Sequence, residues 1–165
     1  MKIILLPGFS KHNKEWAENI KSEFKKSNLD LTTIEWVHWA NGKSSFSFPT
    51  EEKKVMKVIG GEERVVVLAK SVGTRLAARM IKNETLKPEK LIFMGVPSTN
   101  KIYEESLALL NPRKIKVIQN SNDPYGNFEE MRKFIKKINP EIEVIEKPSK
   151  THNYPYPELL INLVK

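Results

Sequence analysis

The sequence of 165 residues contains no cysteine. Disulfides, a Cys-ligated zinc or iron–sulfur site and a thiol nucleophile are thereby excluded. The absence is compatible with a reducing cytoplasm, the expected location. No apolar run is long enough to span a bilayer, so no membrane association is expected. The run at residues 1–6 is too short for a signal peptide, and Pro7-Gly8 breaks it. It reads as a buried strand. Arginine–aromatic clusters are also missing. The formal charge is +8, but lysine greatly outnumbers arginine and alternates with glutamate, the pattern of solvated faces. No nucleic-acid partner is expected. The chain has no internal repeat, low-complexity segment or linker, and its length suits one domain over residues 1–165.

What is present is a regular alternation of strand and helix signals. Residues 3–6 form a short apolar run, and Trp16, Ile20 and Phe24 follow at helical spacing within 13–26. Residues 29–37 alternate as a strand does. A loop follows, then a helix expected over 50–59, with Thr50 as cap and Gly60-Gly61 as terminator. Val65-Val66-Val67-Leu68 is the run expected of a central strand covered on both faces. Val72, Leu76, Met80 and Ile81 mark the next helix, and 91–94 and 115–118 are further buried strands. Phe128, Met131, Ile135 and Ile138 stripe another helix, and 142–145 and 158–164 close the chain as strand and helix. This order predicts an α/β fold, a three-layer α/β/α sandwich around a mostly parallel sheet. Between 94 and 115 there is room for one short helix over 102–110, but none for a cap domain.

In parallel sheets of this kind, ligands bind beyond the carboxyl ends of the strands. The residues leaving the 65–68 strand are Ala69-Lys70-Ser71-Val72-Gly73. Small-x-Ser-x-Gly between strand and helix is the pattern of a nucleophile elbow. A sharp turn raises the hydroxyl above the sheet, and the small residues let helix and strand approach. The alternative is an ordinary helix N-cap serine. An acyl-transfer serine requires a base, and the base an orienting carboxylate. The chain has only two aspartates, Asp30 and Asp123. Asp30 precedes a strand, at the wrong sheet end, whereas Asp123 leaves the 115–118 strand at the catalytic end. A turn aspartate before Pro124 is the alternative there. Of the three histidines, His12, His38 and His152, all expected in loops after strands, only His152 follows both Ser71 and Asp123. That is the chain order of elbow-type serine hydrolases. His12 and His38 are left as residues lining the site. Gly8, Phe9 and Ser10 of the first loop, with Val72, are the expected oxyanion and substrate-binding residues, the donors being the amides of Val72 and Phe9. Gly8 as a plain turn residue is the other reading. Phe46 and Phe48, in the loop 39–49, suit either an acyl pocket or packing over the domain edge.

With these residues in place, the chain resembles the small single-domain α/β-hydrolases, and is most similar to the YdeN and retinoblastoma-binding-protein-like serine hydrolases. The likeness rests on Leu6-Pro7-Gly8-Phe9 followed by a helix bearing Trp16, on Ala69-Lys70-Ser71-Val72-Gly73, on Asn122-Asp123-Pro124 and on Thr151-His152-Asn153. It implies a Ser71–Asp123–His152 triad and a carboxylesterase-like serine hydrolase. The substrate would be a small-molecule ester, thioester or activated amide, with no metal or organic cofactor. Two positions depart from the group. Pro7 stands where histidine is usual before the glycine, and Lys70 where histidine is common before the serine. Some members of the group are better known as binding proteins, so a protein–protein binding module on the same scaffold is the alternative function.

Overall fold

The computed structural model describes residues 1–42 and 45–165. In chain order the elements are β1 (Lys2–Leu6), α1 (Asn13–Lys26), β2 (Leu31–Thr33), α2 (Val37–Asn41), α3 (Phe48–Ile59), β3 (Val65–Lys70), α4 (Val72–Lys82), β4 (Lys90–Met94), α5 (Lys101–Leu107), β5 (Ile115–Asn120), α6 (Phe128–Ile138), β6 (Glu143–Lys147) and α7 (Pro157–Val164). The six strands form one sheet in the order β2-β1-β3-β4-β5-β6. Every pairing is parallel, so the sheet is wholly rather than mostly parallel.

Two-residue periodicity divides the core. Ile4, Leu6, Val65, Val67, Ala69, Leu91 and Phe93 share one cluster with α3, α4, α5 and α6. Ile3, Leu5, Val66, Leu68, Ile92 and Met94 share the other with α1 and α7. A strand sandwiched between two helical layers must be apolar at every position, which is why β3 reads as an unbroken run. Burying each such side chain contributes roughly 1.5–3 kcal/mol. The edge strand β6 is exposed or half-buried and carries Glu143, Glu146 and Lys147, charges that discourage further strand pairing.

Several element boundaries differ from expectation for local reasons. The strand expected over 29–37 is paired only over Leu31–Thr33. Its partner β1 ends at Leu6 before Pro7, so no ladder remains beyond that point. The chain turns inward instead, burying Ile34 and Trp36, and Glu51 accepts the Val37 amide at 2.9 Å as α2 begins. His38 therefore lies in a short helix, not a loop. Helix α3 starts at Phe48, before Thr50, because Pro49 occupies the first turn, where a missing N–H costs nothing. The interval between β4 and β5 holds α5 and a short 3₁₀ turn at Pro112–Lys114.

The chain crosses over after β2, so β1 and β3 are neighbours whose following helices pack on opposite faces of the sheet. The segments that follow them leave in opposite directions, the arrangement that opens a crevice at such a switch point.

Candidate active site

Ser71 sits between β3 and α4 with φ 52° and ψ −117°, a backbone conformation that side chains rarely adopt. The turn is held by the Ser71 amide, which donates to the Met94 carbonyl at 3.0 Å. Gly73 allows it: a Cβ there would lie 2.3 Å from the Leu6 carbonyl oxygen. Ser71 occupies the N-cap position but makes no side-chain capping bond, so capping does not account for a serine here.

Asp123 and His152 come together from the loops after β5 and β6. His152 Nδ1 lies 2.7 Å from Asp123 Oδ2. The same oxygen accepts the Tyr154 hydroxyl at 2.6 Å, and Oδ1 accepts the Tyr125 amide at 2.9 Å. Burial pushes the Asp123 carboxyl upward, but the hydrogen bonds from His152, Tyr154 and Tyr125 outweigh it and hold the group below the ordinary carboxylate range. Burial and the adjacent Asp123 charge push the Tyr154 phenol well up, so it remains a donor. A carboxylate can only accept, so His152 Nδ1 carries the proton of that bond. In the neutral ring Nε2 is then a bare lone pair; it is buried and has no hydrogen-bond partner.

The loop carrying His152 is fixed from β5. Asn120 Nδ2 donates to the carbonyls of Thr151 and Asn153, both at 2.7 Å, on either side of the histidine. Asn120 Oδ1 accepts the Tyr156 hydroxyl at 2.8 Å. Gly95 leaves space for the ring, since a Cβ there would stand 2.9 Å from His152 Cε1 and 2.6 Å from Tyr154 Cε2. Tyr125, 65 % exposed, covers the outer face of His152 with ring centroids 4.6 Å apart.

The first loop is pinned by its carbonyls. Gly8 accepts Trp36 Nε1 at 3.0 Å. Phe9 accepts both His38 Nε2 and Trp39 Nε1, each at 2.8 Å. In a planar trans peptide the next N–H points opposite to the carbonyl, so the Phe9 amide is directed away from Trp36. Among the described residues neither this amide nor that of Val72, at the start of α4, has an acceptor. Ser10 is exposed and accepts the His12 amide through Oγ at 3.3 Å. Phe9 stacks on His38 at 4.6 Å.

No family model matches the chain, and no curated protein does either. Solved structures do. Mouse alpha/beta hydrolase domain-containing protein 10 superposes with a TM-score of 0.70 at 12 % identity, over 99 % of this chain and 87 % of that one. An extracellular α/β-hydrolase from a Paenibacillus species gives 0.69 at 10 % identity, over 99 % and 97 % of the two chains. Est1E from Butyrivibrio proteoclasticus, solved with ferulic acid bound, gives 0.68 at 12 % identity, over 99 % and 86 %. The chain has the α/β-hydrolase fold.

On this α/β-hydrolase scaffold a groove of about 280 Å³ runs beside His152, between the first loop and the His152 loop. His12 and Asn13 line it, and Lys70 forms part of its wall. His38, by contrast, is buried against Phe9. Phe46 and Phe48 pack on the core and on each other, with ring centroids 5.0 Å apart. They serve the domain edge rather than the groove; Lys43 and Ser44 of that loop lie outside the described residues. Among the described residues no three His, Asp or Glu side chains converge as a metal site would need. Nor is any described helix long and apolar enough to cross a membrane. Sequence reasoning missed Tyr154, Asn120, Gly95 and the Trp36–His38–Trp39 clamp. Only the proximity of Asn120 and Tyr154 to the assigned aspartate and histidine hinted at two of them.

Proposed function

We propose that this chain is a serine hydrolase of small esters, thioesters or activated amides, with Ser71 as nucleophile, His152 as base and Asp123 as the orienting acid. The observation that carries the reading is the Asp123–His152 pair at 2.7 Å, which leaves a bare, unpartnered Nε2. The strained elbow supports it with a serine that makes no capping bond, its amide held by the Met94 carbonyl next to Gly95, against which the His152 ring packs. A backbone held at such cost is typical of functional positions.

The chemistry follows from these groups. As Ser71 Oγ bonds to the acyl carbon, its proton passes to His152 Nε2 and the carbonyl electron pair moves onto oxygen. The free amides of Phe9 and Val72 are suited to that oxyanion. Collapse of the tetrahedral species breaks the bond to the leaving group, which takes the proton from His152. Water then attacks the acyl-enzyme by the same route and restores the serine. Asp123 stabilises the imidazolium while remaining ionised. Ser71 and His152 share no hydrogen bond in the free protein; such contacts commonly tighten only when substrate binds.

A fluorophosphonate probe should label the chain at Ser71 alone, as read by mass spectrometry, and Ser71→Ala should abolish labelling. Labelling that persists in that variant rejects the nucleophile. A well-folded chain that takes up no probe and turns over no ester favours the alternative, a protein–protein binding module on the same scaffold.

A further inference from the structure

We propose that Lys70 makes the groove beside His152 a subsite for a negatively charged group on the substrate. This deepens the hydrolase reading and rests on it for the position of the scissile bond at Ser71.

Lys70 is the last residue of β3 and immediately precedes Ser71. Its side chain leaves the sheet on the α1 face and is only 4 % exposed, yet it lines the groove together with Ser10, His12, Asn13, Thr151 and His152. Nζ donates to Asn13 Oδ1 at 2.6 Å and lies 5.0 Å from the centre of the Trp16 ring. An ammonium has three donors. Among the described residues one meets a neutral amide oxygen, and no carboxylate is paired with the group. The nearest acidic influence, Asp123, already spends both oxygens on His152, Tyr154 and the Tyr125 amide.

A buried charge without a counter-ion is costly, and an apolar residue of similar size would usually stabilise the fold more. Lys70 retains its charge at neutral pH: burial lowers its pKa to about 8, with Asp123 pulling the other way. No aspartate or glutamate lines the groove. What completes the site is an acceptor brought from outside: a carboxylate or comparable anion carried on a few carbons. The groove volume of about 280 Å³ accommodates such a fragment.

The test compares kcat/KM for two anionic esters, each against its own methyl ester. Mono-4-nitrophenyl glutarate carries the charge on the acyl side, and 4-acetoxybenzoate carries it on the leaving group. The wild-type chain should prefer the anionic member of one pair at least about tenfold, about 1.4 kcal/mol, and the pair that responds identifies the side. Lys70→Met should remove that preference, and Lys70→Gln, which keeps a donor for Asn13, should remove it too if the methionine variant fails to fold. Absence of preference in the wild type overturns the proposal. So does equal loss on anionic and neutral esters, which would make Lys70 only a positioning residue for Asn13 and the first loop. Calorimetric binding of glutarate and of 4-hydroxybenzoate reads the subsite without turnover. At least one should bind the wild type about tenfold more tightly than Lys70→Met, and equal binding of both anions rejects the subsite. If no ester is hydrolysed but this difference holds, the hydrolase reading fails and the anion site stands.

Discussion

Asp123 is the residue on which the candidate site turns. Its two oxygens hold His152, Tyr154 and the Tyr125 amide, and an asparagine of equal size could not accept all three. Asp123→Asn would also favour the imidazole tautomer with the proton on the wrong nitrogen. We expect kcat to fall at least about 100-fold, with the fold retained by circular dichroism. Near-normal turnover would redirect the search to a glutamate. Lys70 offers a second measurement at this scale. Burial lowers its pKa from 10.5 to about 8, partly opposed by Asp123. Between those values the unfolded chain binds more protons than the folded one, so this group makes stability rise with pH across that window. Below about pH 8 the cost of the buried cation is fully present, on the order of 3 kcal/mol. In urea unfolding the wild type should therefore gain stability relative to Lys70→Met as pH rises from about 8 to 10.5. A constant difference would mean that the ammonium is not desolvated. Asp123 and His152 were readable in the sequence because aspartate and histidine are scarce and the required chain order left one of each. Tyr154 and Asn120 were not. Tyrosines and asparagines are ordinary loop residues, and their partners here are set by how the loops after β5 and β6 fold against each other.

At the scale of elements, the β3–α4 elbow stores strain that a glycine would relieve. At φ 52° glycine suffers no Cβ clash. Ser71→Gly should be inactive and yet more stable than the wild type by about 1 kcal/mol, the released strain exceeding glycine's extra unfolded entropy. Denaturant unfolding decides this; a destabilised Ser71→Gly would show that the hydroxyl supports the fold. The elbow itself was legible as Ala69-x-Ser71-x-Gly73. Helix α2 was not. Its sequence, Val37 to Asn41, carries no capping side chain of its own, and its start depends on the Glu51 carboxylate from α3. A short element held by a distant residue leaves no periodic trace. The clamp formed by Trp36, His38 and Trp39 on the first loop was invisible for the same reason.

For the whole molecule, the sparse connection between β4 and β5 governs what the site can hold. Helix α5 is the one α-helix in that interval, too little chain to roof the crevice. The groove beside His152 is shallow, at about 280 Å³, and has Trp16 as its one large apolar side chain. Each methylene is worth about 0.8 kcal/mol only where it is buried, so lengthening an acyl chain should gain little transition-state binding. 4-Nitrophenyl acetate and butyrate should be hydrolysed at least as efficiently as the decanoate, compared as kcat/KM below the micelle threshold. A steady rise through the long esters would reveal a deep acyl tunnel and contradict the open groove.

By itself the sequence determined the layered α/β architecture, because a strand covered on both faces must be apolar throughout and an amphipathic helix must repeat its apolar face. It also singled out Ser71, Asp123 and His152, since each leaves a strand at the same end of a parallel sheet in a set order. Tertiary structure alone decided that Asp123 and His152 meet at 2.7 Å, that Gly95 makes room for the ring and that the Phe9 amide is turned away from Trp36, whose indole N–H holds the Gly8 carbonyl. It also decided that Lys70 is buried against Asn13 and Trp16. Those are relations between segments far apart in the chain. Periodicity records only which face of an element is covered, whereas the partner and the distance follow from how the covered faces pack.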